Sequence, residues 1–179
     1  MEIEKFTVNT GKIEDRLEVI LLYRTVAAVL GGLARTSDEI TEEYVENFMQ
    51  KSLKSGIIIV ARDREHNQII GEIHAYALGP KCFAHVLGEL TIAVHPEYQS
   101  QRVGRAIFTE FMRLVENDRP DILRVELIAR ESNNKAIKFY QNLGFEIEGR
   151  LLKRIRGVND NYEADIPMAW FRNVPCLSD

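Results

Sequence analysis

The sequence predicts an α/β (α+β) protein, a mixed β-sheet flanked by helices in a single domain. Three observations carry that expectation. The chain has 179 residues, 45% hydrophobic and 28% charged, enough for one sizeable core with an ordinary globular balance. From Gly56 onward the apolar pattern is that of strands, beginning with the unbroken run Ile57 to Ala61. Within Leu90 to Ile107 the period changes from strand to helix across a polar loop.

Taken in order, Ile3 to Val8 predicts a first strand, which Thr10-Gly11 breaks. Ile13 to Ala34 reads as one long helix, or as two joined near Gly31-Gly32. Thr36-Ser37-Asp38 is a polar break. Thr41 to Lys54 is then a second amphipathic helix with Tyr44, Val45, Phe48 and Leu53 inward. Arg62 to Gln68 is a charged turn before the strand Ile69 to Leu78, which puts Glu72, His74 and Tyr76 on one face. Gly79-Pro80 ends it. Phe83 to Val94 is the next strand, with Leu90, Ile92 and Val94 alternating against Thr91 and Ala93. His95-Pro96 stops it, because proline gives no amide hydrogen to a ladder.

A polar run from Glu97 leads through Gly104 into a helix. Ile107, Phe111 and Leu114 form one stripe of it, beside Phe108, Met112 and Val115, while Arg105, Glu110, Arg113 and Glu116 point away. The first amides of a helix lack internal partners and the dipole there favours negative charge, so this loop suits a phosphate or pyrophosphate. Arg119-Pro120 ends that helix. Leu123 to Ala129 is a strand, Asn133 to Leu143 a helix, and Gly144 its C-terminal cap. Phe145 to Ile155 and Tyr162 to Trp170 are two strands joined at Gly157 to Asn161.

Composition narrows the function classes. A net charge of −4 gives no broad basic footprint for nucleic acid, and a mildly acidic surface is compatible with a cationic amine. Cys82 and Cys176 lie far apart without metal-ligand spacing, which points to a reduced, cytoplasmic compartment and no metal. MEIEKFTVNT carries no signal-peptide pattern. Leu17 to Leu33 is apolar but short for a membrane span and interrupted by Glu18, Arg24 and Gly31-Gly32, so a buried or partner-facing helix is expected. Neither G-x-x-x-x-G-K-[ST] nor G-x-G-x-x-G occurs, which argues against a generic nucleotide-binding protein.

Two motifs carry a resemblance. Gln99-Ser100-Gln101-Arg102-Val103-Gly104, led in by Val94-His95-Pro96-Glu97-Tyr98, resembles the Q/R-x-x-G-x-G/A loop of the GNAT superfamily of acyl-CoA N-acyltransferases. Asn133 to Tyr140, then Gly144-Phe145, resembles that family's N-x-x-A-x-x-x-Y-x-x-x-G-F segment. The likeness covers roughly Gly56 to Met168, and Arg102 stands where the family has its first loop glycine. Gly157, Tyr162, Asp165 and Met168 resemble the ending of a branch that includes ribosomal-protein and polyamine acetyltransferases, too loosely to name a substrate.

The resemblance implies an acetyltransferase using acetyl-CoA, with no metal, in which an amine attacks the thioester directly. Gln99, Ser100, Gln101, Arg102, Val103, Gly104 and Arg105 would hold the pyrophosphate. Arg102 would add a charged contact in place of the missing glycine. The backbone of Ile92 and Val94 would pair with pantetheine, and the Val94 amide would also face the oxyanion. Asn133, Ile137 and Tyr140 fall on one helix face, so Asn133 would hold pantetheine and Tyr140 would protonate the leaving thiolate. Glu89, one residue before the central strand, is the candidate base, with Glu72, His74, His85 and His95 as further candidates. A non-catalytic acyl-CoA-binding module on the same fold is the competing expectation. The amine acceptor, and whether the chain forms a homodimer, are not legible.

Overall fold

The computed structural model describes residues 5–29, 31–157 and 161–173. Among these residues it is a mixed α/β fold of eight strands and four helices, and the chain divides into two compact units, 1–77 with 91–119 and 78–90 with 120–179.

The first unit holds β1 (Phe6–Thr10), α1 (Arg16–Ala27), α2 (Glu42–Ser55), β2 (Gly56–Asp63), β3 (Ile69–Ala77), the end of β4 (Val86–Val94) and α3 (Val103–Asp118). β1 runs antiparallel to β2, with Phe6 opposite Asp63. β2 runs antiparallel to β3, with Ile59 opposite Ile73. Ile57 to Ala61 is buried throughout, as an unbroken apolar run requires of a strand covered on both faces. α1 and α2 cover one face, where Val19, Tyr23, Val45 and Phe48 close over Ile58 and Val60. α3 covers the other with Val103, Ile107, Phe108, Phe111, Met112 and Val115. Each such buried side chain stabilises by about 1.5–3 kcal/mol. The approach of α3 is close. A Cβ on Gly71 would stand 2.8 Å from Val103 Cγ1 and 3.3 Å from Ile107 Cδ1.

Three expectations in this unit are corrected. The first helix does not reach Ala34. Ile13–Asp15 is a 3₁₀ turn, and α1 stops at Ala27. Val29 and Gly32 amides then turn back to Val26 and Val29 carbonyls, Gly31 takes φ +79°, and a Cβ on Gly32 would meet Val26 O at 2.1 Å. Leu53 of α2 is 45% exposed, not inward. The buried stripe runs Val45, Phe48, Met49, Ser52, and Leu53 falls about 90° off its centre at 100° per residue. The first strand begins at Phe6, residues 1–4 lying outside the described ones.

The second unit holds the start of β4, β5 (Arg124–Arg130), α4 (Asn134–Gln141), β6 (Glu146–Ile147), β7 (Leu151–Arg156) and β8 (Tyr162–Phe171). β5 is parallel to β4 through Leu87 and Val125, and antiparallel to β8 from Arg124 opposite Phe171 to Arg130 opposite Asp165. Val125, Leu127 and Ala129 point into the core, while Arg124 pairs with Glu126 and Glu148 on the other side. The expected strand Phe145 to Ile155 is two pieces, β6 and β7, each paired to β8. The following turn falls largely on residues 158–160, outside the described ones, though Gly157 N–H bonds Asn161 O at 2.7 Å. The strand expected from Phe83 starts at Val86, because Lys81–Phe83 forms a 3₁₀ turn after Pro80.

Candidate active site

The polar loop grows out of β4. The His95 amide donates to Ile70 O at 2.8 Å, which pins the loop's start to β3. Pro96–Tyr98 makes one 3₁₀ turn, capped where His95 Nδ1 accepts from the Glu97 amide at 3.3 Å. Gln101 Nε2 donates to Glu97 O at 2.7 Å and tightens the bend. Ser100 and Arg102 take φ +63° and +69°, left-handed conformations rare for residues with a side chain. Thus Arg102 adopts the left-handed backbone where the resemblance would place a glycine.

α3 begins at Val103 with no side-chain cap and no acidic residue in its first turn. The other described helices differ. Thr41 Oγ1 caps the Tyr44 amide, Asn133 Oδ1 caps the Ala136 amide, and α1 carries Glu18 in its first turn. Sixteen residues of aligned dipole therefore end in uncapped amides, beside the exposed side chains of Arg102 and Arg105. Such a helix start is electrostatically suited to an anion. Val103 is buried and offers only its amide. A Cβ on Gly104 would meet Val94 Cγ2 at 3.5 Å and Ile92 Cδ1 at 3.9 Å, so loop and strand meet there in ordinary contact. Gln99, Ser100 and Gln101 are exposed, and Ile92 and Val94 half-buried.

Glu89, Asn133 and Tyr140 belong to the second unit. Glu89 is exposed and lies inside β4, not before it, at φ +55°. Asn133 is not on the helix face as expected but precedes α4 as its N-cap. Its side-chain oxygen is spent on Ala136 at 3.1 Å, and its amide group stays exposed. Tyr140 is 8% exposed, packed against Phe139 and Phe145, and burial pushes its phenol up to about 12. Gly144 closes the helix at φ +87°, with the Phe145 amide on Tyr140 O, as the cap expectation had it.

The other base candidates separate. His85 is exposed, and His95 caps the loop. Glu72 and His74 are buried together, with Glu72 taking a 2.5 Å bond from Tyr23. Nothing in the pattern of α1 singles Tyr23 out as a polar partner, because its spacing is that of a core residue. No group of three His, Cys, Asp or Glu side chains among the described residues has metal-binding geometry.

The acetyltransferase (GNAT) domain family matches residues 54–147, which span the loop, Asn133 and Tyr140. The chain belongs to the GNAT family. No curated protein is similar enough in sequence to rank as a relative. Solved GNAT structures share the fold. An acetyltransferase of the family from Streptococcus pneumoniae superposes at a TM-score of 0.81 with 20% identity, over 93% of this chain and 99% of that one. A GNAT phosphinothricin acetyltransferase from Sinorhizobium meliloti, in complex with acetyl-CoA, gives 0.79 at 18%, over 98% and 92%. The yncA protein of Salmonella typhimurium, with its cofactor acetyl-CoA, gives 0.73 at 14%, over 97% and 98%. No helix among the described residues of this GNAT protein is long and apolar enough to cross a membrane.

Proposed function

We propose that the protein is an N-acetyltransferase, moving the acetyl group of acetyl-CoA to a primary amine by direct attack with both substrates bound. The two compact units are read together as one acetyltransferase domain, working in the cytoplasm, where the exposed free thiol of Cys82 stays reduced. One observation carries the reading: α3 opens with uncapped, acid-free amides at the end of a loop with the GNAT pattern.

Acetyl-CoA supplies the activated thioester carbonyl. The amides of Gln101 to Arg105 take up the pyrophosphate, with Gln99 and Ser100 shaping the bend. The guanidinium of Arg102 adds a charge-assisted bond to a phosphate oxygen. Backbone groups of Ile92 and Val94 pair with pantetheine, and the Val94 amide faces the carbonyl oxygen as it gains charge. The Asn133 amide group, free of its capping duty on the nitrogen side, steadies the pantetheine end. The Tyr140 phenol, kept protonated by burial, donates to the departing sulfur. An acceptor ammonium has a pKa near 10.4 and must lose a proton first, and the exposed Glu89 draws it off through water. The acceptor is a small-molecule amine, a polyamine or a peptide amine.

Thiol release from acetyl-CoA, measured across polyamines, peptides and aminoglycosides, tests the reading. Turnover with one acceptor class supports it. Acetyl-CoA binding without turnover on any acceptor would make the protein a non-catalytic acyl-CoA module instead.

A further inference from the structure

Three side chains buried in the first unit carry chemistry that the steps above leave unused. Glu72 and His74 of β3 are 0% and 2% exposed. Tyr23 of α1 donates to Glu72 Oε2 at 2.5 Å, and its phenol is held well above the ordinary range by burial and by that carboxylate. His74 Nδ1 stands 3.0 Å from Glu72 Oε1 and 3.3 Å from Oε2. A carboxylate only accepts, so Nδ1 must be the donor, and neutral His74 keeps its lone pair on Nε2. Phe48 of α2 stacks flat on the ring at 4.0 Å and 6°, fixing its plane. Tyr76 lies parallel at 6.1 Å, with Lys51 of α2 over its far ring, so the titratable neighbours are Tyr23, Glu72, Tyr76 and Lys51.

Among the described residues the ring's hydrogen bonds all fall on Nδ1, which leaves Nε2 outside them. Its level along the sheet follows from one bond. His95, just after β4, donates to Ile70 near the start of β3, so the two strands run antiparallel. Four residues along each, at about 3.3 Å per residue, bring His74 level with Thr91, beside Ile92.

Between ammonium and amide a nitrogen loses two protons, and Glu89 accounts for one. We infer that His74 takes the other, with Glu72 as the residue that positions its ring and tautomer. The inference rests on the N-acetyltransferase reading. The nitrogen lone pair forms the C–N bond while the carbonyl π pair moves to oxygen. The nitrogen's proton then passes to Nε2, and the imidazolium is neutralised by Glu72. The oxygen pair returns, the C–S bond breaks, and sulfur keeps its electron pair and takes the Tyr140 proton. Solvent later reprotonates Tyr140 and collects the protons from Glu89 and His74, leaving one net proton released.

The first test needs no turnover. Imidazole ¹⁵N NMR of the full chain, assigned with His74→Gln, should show Nδ1 protonated and Nε2 bare at pH 8. A protonated Nε2 at that pH overturns the inference. The second test is kinetic. In the parent, kcat/KM should fall as acid protonates His74. His74→Gln should lose that limb and at least about 100-fold in kcat, with the acetyl-CoA thermal shift kept. Glu72→Gln should move the limb. A His74→Gln protein with parental kcat and pH profile overturns this inference alone. A parent that releases no thiol with any acceptor overturns the acetyltransferase reading and this inference with it.

Discussion

Glu18 of α1 grips Arg62 of β2 through both carboxylate oxygens, at 2.9 and 2.8 Å, and also accepts the Ile69 amide at 3.1 Å. Asp15 holds the second guanidinium nitrogen at 2.9 Å. The cluster is partly buried and fastens the first helix to the sheet beneath it. Arg62→Ala leaves two acidic groups without their partner and should cost about 1–2 kcal/mol by urea unfolding. Arg62→Lys should recover only part, because an ammonium cannot fork between Asp15 and Glu18.

Arg102 holds a left-handed backbone, a conformation that costs an L-residue about 1–2 kcal/mol. Arg102→Gly should therefore melt roughly 2–4 °C higher, the shift expected for about 1 kcal/mol in a chain this long. Acetyl-CoA should bind the same variant modestly more weakly, by titration calorimetry, since a phosphate contact is gone. Unchanged or tighter binding would show that the arginine side chain only faces solvent.

Saturating acetyl-CoA at 100 times its Kd should stabilise the parent by about 2.7 kcal/mol in a thermal-shift titration. The protein itself has room for a methyl at Gly104, where the nearest side-chain atom would be 3.5 Å away. Gly104→Ala should thus fold normally and lose part of the ligand shift, and Gly104→Val should lose it all. A full shift in Gly104→Val would mean that the backbone there does not approach the pyrophosphate.

Tyr140→Phe keeps the ring against Phe139 and Phe145 and removes the proton. It should lower kcat by about 10²–10⁴-fold with acetyl-CoA affinity unchanged. The same substitution has a pH signature in stability. The phenol is pushed from 10.0 to about 12 when folded. Below pH 10 both states hold the proton and nothing is lost. Between about 10 and 12 the unfolded chain releases it first, so stability falls as pH rises, by roughly 3 kcal/mol in all. The parent should fall away from the non-titrating variant across that window in paired denaturation curves. Parallel curves there would place Tyr140 in a more solvated setting.

Legibility in the sequence followed periodicity. Ile57 to Ala61 was readable as an unbroken run because the strand is buried on both faces, and the α3 stripe because one-sided burial writes a repeat of 3.6 into the chain. α1 was overextended because residues 28–34 are apolar enough for a helix, whereas the chain turns there through Gly31 at φ +79° and a Gly32 with no room for a side chain. The Glu89 conformation left no mark, since a single left-handed residue leaves composition intact, and the one sign of the break inside Phe145 to Ile155 is Gly149. The loop was readable as a motif. The Asn133 error came from treating a helix-starting residue as part of the helix, when Asn there caps. Glu72 and His74 were placed on one face correctly, but Tyr23 comes from 49 residues away in sequence, and no local pattern reports such a meeting.

Gly71 leaves no space for even one more carbon between β3 and α3. The first turn of that helix, and the amides that finish the loop, accordingly have one place to stand before any ligand arrives. Capture of an anion there should then be set by diffusion and orientation, with no folding of the loop in the barrier. Among loop variants, lost affinity should appear as shorter residence times while association rates barely move. Gly71→Ala, which must push the helix off its seat, should be the exception that slows capture as well.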